Sequence, residues 1–217
     1  MKKWIPALAV LLLTACDNNS YETGDGRYSY LQAEMVDAYT ADKYVIDHVV
    51  TDDGQQLQLQ PTLTAKWATR ADSVYRAWLY YDYSEGAACV KPRTATPVSV
   101  LRPIQTTRPD TLHTDPISLV SAWRSKSSKY INLRLAVKTG TADDGETALQ
   151  TIGVKCDTTT TADGHEQFTF TLLHNQNGVP QYYTSTVFAS IPIDSRAQAG
   201  EITIRVNTYQ GQTERNY

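Results

Sequence analysis

Apolar and polar residues alternate along most of this chain, in short runs separated by turn residues. Alternation puts every second side chain on one face of an extended strand, so the pattern predicts β-structure. Residues 73–83 give the clearest case. Val74, Arg76, Trp78 and Tyr80 fall on one face, and Tyr75, Ala77, Leu79 and Tyr81 on the other. Similar runs lie at 28–39, 44–50, 57–60 and 89–104. Thr51, Asp52, Asp53 and Gly54 separate the second run from the third. Asp-Gly there is a hairpin cue, because glycine takes positive φ at little cost. Pro61 is expected to halt the third run, and Pro92, Pro97 and Pro103 to confine the fifth to edge or bulged geometry. Five runs within about 80 residues suit a small closed barrel.

Residues 106–116 are rich in Pro and Thr, lack apolar periodicity, and are expected to link two domains. Six more alternating runs follow, at 117–123, 129–138, 147–156, 167–173, 182–193 and 201–209. Ile131, Leu133, Leu135 and Val137 share one face of the second. Six strands with short polar turns predict a β-sandwich. Helix is expected to be minor, a turn at most within 115–122. The chain therefore reads as all-β, with a barrel at 27–105, a linker at 106–116 and a sandwich at 117–217.

The first residues break this pattern. Lys2 and Lys3 precede an uncharged apolar run at 4–13. Ten residues are too few for a bilayer span, which needs about 20. The run has the length and flanks of a secretory signal peptide at 1–15. Leu13, Thr14, Ala15 and Cys16 resemble a bacterial lipobox. That resemblance implies S-diacylglycerol on the Cys16 thiol, cleavage between Ala15 and Cys16, and acylation of the new amino group. Two or three acyl chains, at about 0.8 kcal/mol per buried CH2, anchor a protein stably. The alternative is an ordinary cleaved signal with a chance cysteine. Residues 16–26 are polar, without aliphatic side chains, and read as a lipidated tether. The expected partner is thus a membrane at the cell envelope, the outer one preferred over the inner.

Composition narrows the chemistry. The 217 residues carry 20 basic and 23 acidic side chains, net −3, which opposes nucleic-acid binding. Twenty-eight Thr and 14 Tyr suit pleated surfaces. His48, His113, His165 and His174 are dispersed, and His165-Glu166 lacks the second histidine of a zincin helix. Asp143, Asp144, Gly145 and Glu146, like Asp163-Gly164, lack EF-hand spacing and read as turns. There is no G-x-S-x-G elbow and no phosphate-binding glycine loop. No catalytic residue, metal or cofactor is expected. Cys89 and Cys156 either form a bond clamping barrel to sandwich or stay separate as small apolar side chains. Trp67, Trp78 and Trp123, with Tyr80, Tyr81, Tyr83, Tyr182 and Tyr183, suffice for an aromatic surface that takes a sugar or peptide, and Trp67, Tyr81 and Tyr183 are the candidates chosen for it. Against this stands the alternative that most such rings fill the core.

Several stretches resemble the NigD-like lipoproteins. Tyr44-Val45-Ile46 leading to Asp52-Asp53-Gly54, and then Arg76 through Tyr83, are similar to that family's N-terminal barrel. Asp115-Pro116-Ile117, Ala122-Trp123 and Tyr130-Ile131-Asn132-Leu133 resemble the start of its C-terminal domain. The resemblance implies an OB-like barrel followed by a β-sandwich on a lipid anchor, and brings no catalytic residues. The expected function is a non-enzymatic module that binds an envelope protein or glycan. The alternative is an immunity or envelope-stress-protective lipoprotein; a hydrolase is the least supported of the three.

Overall fold

A computed structural model describes residues 31–83, 89–105, 112–141 and 148–217. Ala15, Cys16 and the tether, residues 106–111 of the expected linker, and the acidic stretch around Asp143, Asp144 and Glu146 lie outside the described residues.

The first five strands are β1 (Leu31–Asp42), β2 (Val45–Thr51), β3 (Gln56–Thr64), β4 (Ser73–Asp82) and β5 (Cys89–Pro97). They close into an OB-like barrel in the order β1-β2-β3-β5-β4, with β3 and β5 parallel. The alternation of β4 decides its orientation: Ala77, Leu79 and Tyr81 are buried inside the barrel with Val36, Val49 and Leu57. The Asp-Gly turn forms as expected, with Gly54 at φ 88° and its N–H bonded to Thr51 O. Pro61 does not stop β3. The β2–β3 register shifts between Ile46 and His48, so the strand is irregular opposite Pro61 and does not need its missing N–H.

The chain then leaves the barrel within a few residues. Val98 N–H still bonds to Arg76 O, whereas Leu101 N–H bonds to Ser190 O in the second domain. That domain holds β6 (Ser99–Val100), β7 (Ser118–Arg124), β8 (Tyr130–Thr139), β9 (Thr151–Thr160), β10 (Glu166–Asn175), β11 (Tyr183–Pro192), α1 (Ser195–Ala199), β12 (Glu201–Thr208) and β13 (Gly211–Asn216). Two four-stranded sheets, β6-β11-β8-β7 and β13-β12-β10-β9, face each other as a sandwich. Ile131, Leu133 and Leu135 of β8 pack in one core with Phe168, Phe170 and Leu172 of β10 and with Ile202, Ile204 and Val206 of β12.

Four elements differ from the sequence reading. The strand expected at 117–123 forms as β7, so the turn of helix entertained within 115–122 is absent there. Asp115 is held instead by the Gln176 backbone N–H (2.7 Å), and Ile117 N–H by Asn207 O (3.0 Å). The helix of the domain is α1, whose N-cap Asp194 accepts from Ala197 N–H (2.9 Å). Residues 99–100, expected in the fifth barrel run at 89–104, instead form β6 of the sandwich, and β13 was not foreseen. The first has two residues and the second no apolar side chain, so neither carries a periodic signal. Among the described residues no helix is long and apolar enough to cross a membrane.

Gly200, which closes α1, is set by space rather than by φ. A Cβ there would lie 2.7 Å from Glu166 O and 2.8 Å from Phe168 Cε2. Gly200→Ala is expected to lower stability by roughly 1–3 kcal/mol through overpacking, measured as a fall in the urea unfolding midpoint.

Candidate functional site

Arg76 and Trp78 occupy the face of β4 turned away from the barrel core, and the sandwich covers that face. The Arg76 side chain is only 1% exposed. Its Nη1 meets Asp37 Oδ1 of β1 at 3.2 Å, and Nη2 meets Asp52 Oδ1 of the β2–β3 turn at 2.6 Å. From the sandwich, Asn132 Oδ1 accepts from Nη2 (3.1 Å) and Ser190 Oγ from Nε (3.1 Å), while the Tyr130 ring lies 4.2 Å away. The partners also satisfy one another: Asn132 Nδ2 donates to Asp52 Oδ2 (2.6 Å) and Ser190 Oγ to Asn132 Oδ1 (2.8 Å). Burial, and next the Asp37 carboxylate, push the Tyr130 phenol up to about 12. Trp78 extends the junction by stacking on Phe188 of β11, with centroids 4.5 Å apart.

A cavity of about 320 Å³ opens beside this network, between barrel and sandwich. Ala33, Glu34 and Met35 of β1, Trp78 of β4 and the Asp52–Asp53 turn form one wall. Trp123 and Arg124 at the end of β7, with Ser125 and Lys126 of the following turn, form the other. That turn is shaped by its serines. Ser125 Oγ accepts from Tyr130 N–H (3.1 Å), Ser128 adopts φ 56°, and Ser127 N–H bonds to Asp52 O (2.6 Å), tying the turn to the barrel.

The two walls differ in charge. Burial raises the Glu34 carboxyl above its ordinary value, opposed by a hydrogen bond from Tyr81 OH (2.5 Å). The Thr51 hydroxyl holds the Asp53 carboxyl below its ordinary value. Lys126 faces both electrostatically, yet forms no ion pair with either among the described residues. Trp78 Nε1 and Arg124 Nε are buried without a hydrogen-bond partner among them. The described lining contains no His or Cys. Across the described residues no group of three or more His, Cys, Asp or Glu is placed to hold a metal ion. Two indoles, two cations and opposing carboxylates are equipment for holding a ligand.

Of the aromatics named from sequence, Trp78 and Trp123 line the cleft, but the three chosen for a surface, Trp67, Tyr81 and Tyr183, do not gather here. Tyr81 has the inward parity of β4 and is 3% exposed, so it belongs to the barrel core. Trp67 packs against that core, its Nε1 donating to Ala95 O (3.3 Å) and its ring edge-on to Tyr75. Tyr183 is 56% exposed, but lies seven residues along β11 from Ser190, roughly 23 Å at strand spacing. These three therefore form no common surface, and Tyr81 and Trp67 follow the alternative of filling or flanking the core. The entertained Cys89–Cys156 bond is also absent: both thiols are free, one on β5 of the barrel and one on β9 of the sandwich. Sequence reading counted Trp123 among the aromatics without choosing it, and did not select Arg124 or Lys126. The usable signal was Arg76 with Trp78, a cation and an indole on the outer parity of the most regular strand.

An OB-like barrel fixed to a β-sandwich, with a polar junction and an adjoining mixed-charge cleft, defines a class of two-domain β-proteins. The chain belongs to the NigD-like family: residues 101–217 match the NigD-like C-terminal beta sandwich domain. Solved structures with the same fold include one described as a NigD-like immunity protein from Bacteroides caccae. It is 21% identical, with a TM-score of 0.64 over 86% of this chain and 91% of that one. A putative toxin-related protein from Parabacteroides distasonis is 16% identical, with a TM-score of 0.61 over 86% and 92%. A putative lipoprotein from Bacteroides fragilis is 16% identical, with a TM-score of 0.60 over 86% and 96%. No curated protein matches the chain.

Arg76→Ala leaves two carboxylates at the junction without their cation and should cost about 3–5 kcal/mol in a denaturant titration. Glu34→Gln tests the buried carboxyl. Because the folded state favours neutral Glu34, its contribution is fully present below the ordinary value of 4.5 and is lost as pH rises through the higher folded value. The stability of the wild type relative to Glu34→Gln should therefore decline from about pH 4.5 upward, as read by paired thermal melts across pH.

Proposed function

We propose that this chain is an immunity-type envelope lipoprotein, protecting its cell by binding a harmful molecule rather than by chemically altering it. The observation that carries this reading is the junction itself. Its buried charges are saturated by one another and hold two domains rigidly, leaving beside them a solvent-facing cleft with binding groups and no nucleophile–base pair. Family membership supports it, as do the B. caccae immunity protein and the P. distasonis toxin-related protein on the same fold. The B. fragilis lipoprotein supports an anchor at Cys16, carried on residues 16–26, and an envelope location. In this reading the outer membrane holds the protein, and its partner is a protein or glycan met at that surface.

Two measurements test it. Mass spectrometry of the native protein should find Cys16 as the first residue, bearing diacylglycerol and an N-acyl chain; an unmodified thiol or a retained 1–15 segment removes the anchor. A deletion strain should survive less well than its parent in supernatants of antagonistic strains or under envelope stress. The wild-type gene should restore survival and Cys16→Ser should not. Equal survival of deletion and parent under all these conditions overturns the protective role.

A further inference from the structure

The cleft has a feature that sets the chemistry of its occupant. Strand β1 pairs with β4 from Leu31 to Thr40, but β2 accompanies it only from Val36 onward. At Thr51 the chain turns away into Asp52 and Asp53. Leu31 to Met35 therefore have one ladder edge without a strand partner among the described residues. Ala33, Glu34 and Met35 of this open edge line the cleft. In an antiparallel strand, successive residues point their N–H and C=O to opposite sides, so either Gln32 or Ala33 aims its main chain into the open side.

Resting on the reading that the chain works by binding, we propose that the cleft takes an extended polypeptide segment of its partner as an added strand on β1. The segment's backbone pairs with the Leu31–Met35 edge in the place β2 vacates. A bulky apolar side chain enters between the Trp78 and Trp123 indoles. An acidic residue beside it meets Arg124 and Lys126. Three observations converge on this chemistry. An open strand edge requires N–H and C=O groups repeating at about 3.3 Å per residue, which a polypeptide supplies and a glycan does not. The cavity, about 320 Å³, has the size for one large side chain with its flanking backbone. Lys126, exposed and without an ion pair among the described residues, offers its charge to an incoming carboxylate.

The test uses the full mature lipoprotein in detergent micelles, probed with a phage-displayed random peptide library and, separately, with a glycan array. Peptides rich in an aromatic or large aliphatic residue next to Asp or Glu should be enriched. Their affinity should fall by about tenfold or more for Trp123→Ala and for Lys126→Glu. Leu149→Ala, at a 74% exposed position outside the cleft, should change nothing. Of Gln32→Pro and Ala33→Pro, the one facing away from β4 should lose binding while keeping its thermal midpoint. Enriched peptides that bind wild type and Lys126→Glu equally would overturn the site. Glycan binding that depends on Trp123, with no peptide enriched, would overturn the class of ligand. Absence of any cleft-dependent peptide overturns the strand-addition proposal, while the survival assay decides the protective role separately.

Discussion

The guanidinium of Arg76 is the constraint on which the arrangement of the two domains depends. A cation removed from water must be matched by charge and by hydrogen bonds, or its burial is prohibitive. Here the match is divided between domains: the barrel contributes Asp37 and Asp52, and the sandwich contributes Asn132, Ser190 and the Tyr130 ring. Neither half could bury Arg76 alone. Domain orientation is thus fixed by directional bonds as well as by apolar contact, of which the Trp78–Phe188 stack is the main aromatic part.

The cleft follows from that constraint. Asp52 bonds Arg76 through its side chain and Ser127 through its carbonyl, so one residue sets the junction and the position of the serine-rich turn that carries Lys126. The indoles arrive from separate domains, Trp78 by the outward parity of β4 and Trp123 from the end of β7. The cleft is a by-product of docking, since its walls are drawn from both domains.

Much of the fold was legible because period-two alternation is a direct record of which side chains face a core. Residues 73–83, the Asp52–Gly54 turn and the Ile131-to-Val137 face all read correctly. Alternation does not say what covers the second face. Arg76 and Trp78 looked like solvent-side residues of an ordinary strand until the sandwich was placed over them. Tyr81 shows the complementary error, an aromatic chosen for a surface although its parity was that of Ala77 and Leu79. Short or polar strands such as β6 and β13 leave no period to detect, and the helix at 195–199 rests on one capping aspartate. The cleft residues Trp123 to Lys126 run from the end of β7 into a turn, where alternation ceases and composition signals only polarity.

The passage from barrel to sandwich holds a final consequence. Val98 N–H is fastened to the carbonyl of Arg76, the same residue whose side chain is gripped by both domains, and Leu101 is already bonded into the sandwich. No slack remains at the crossing for the domains to swing about. The cleft therefore has the walls of a rigid vise, and a change at an exposed position on its lip, such as 126, would leave the junction beneath undisturbed.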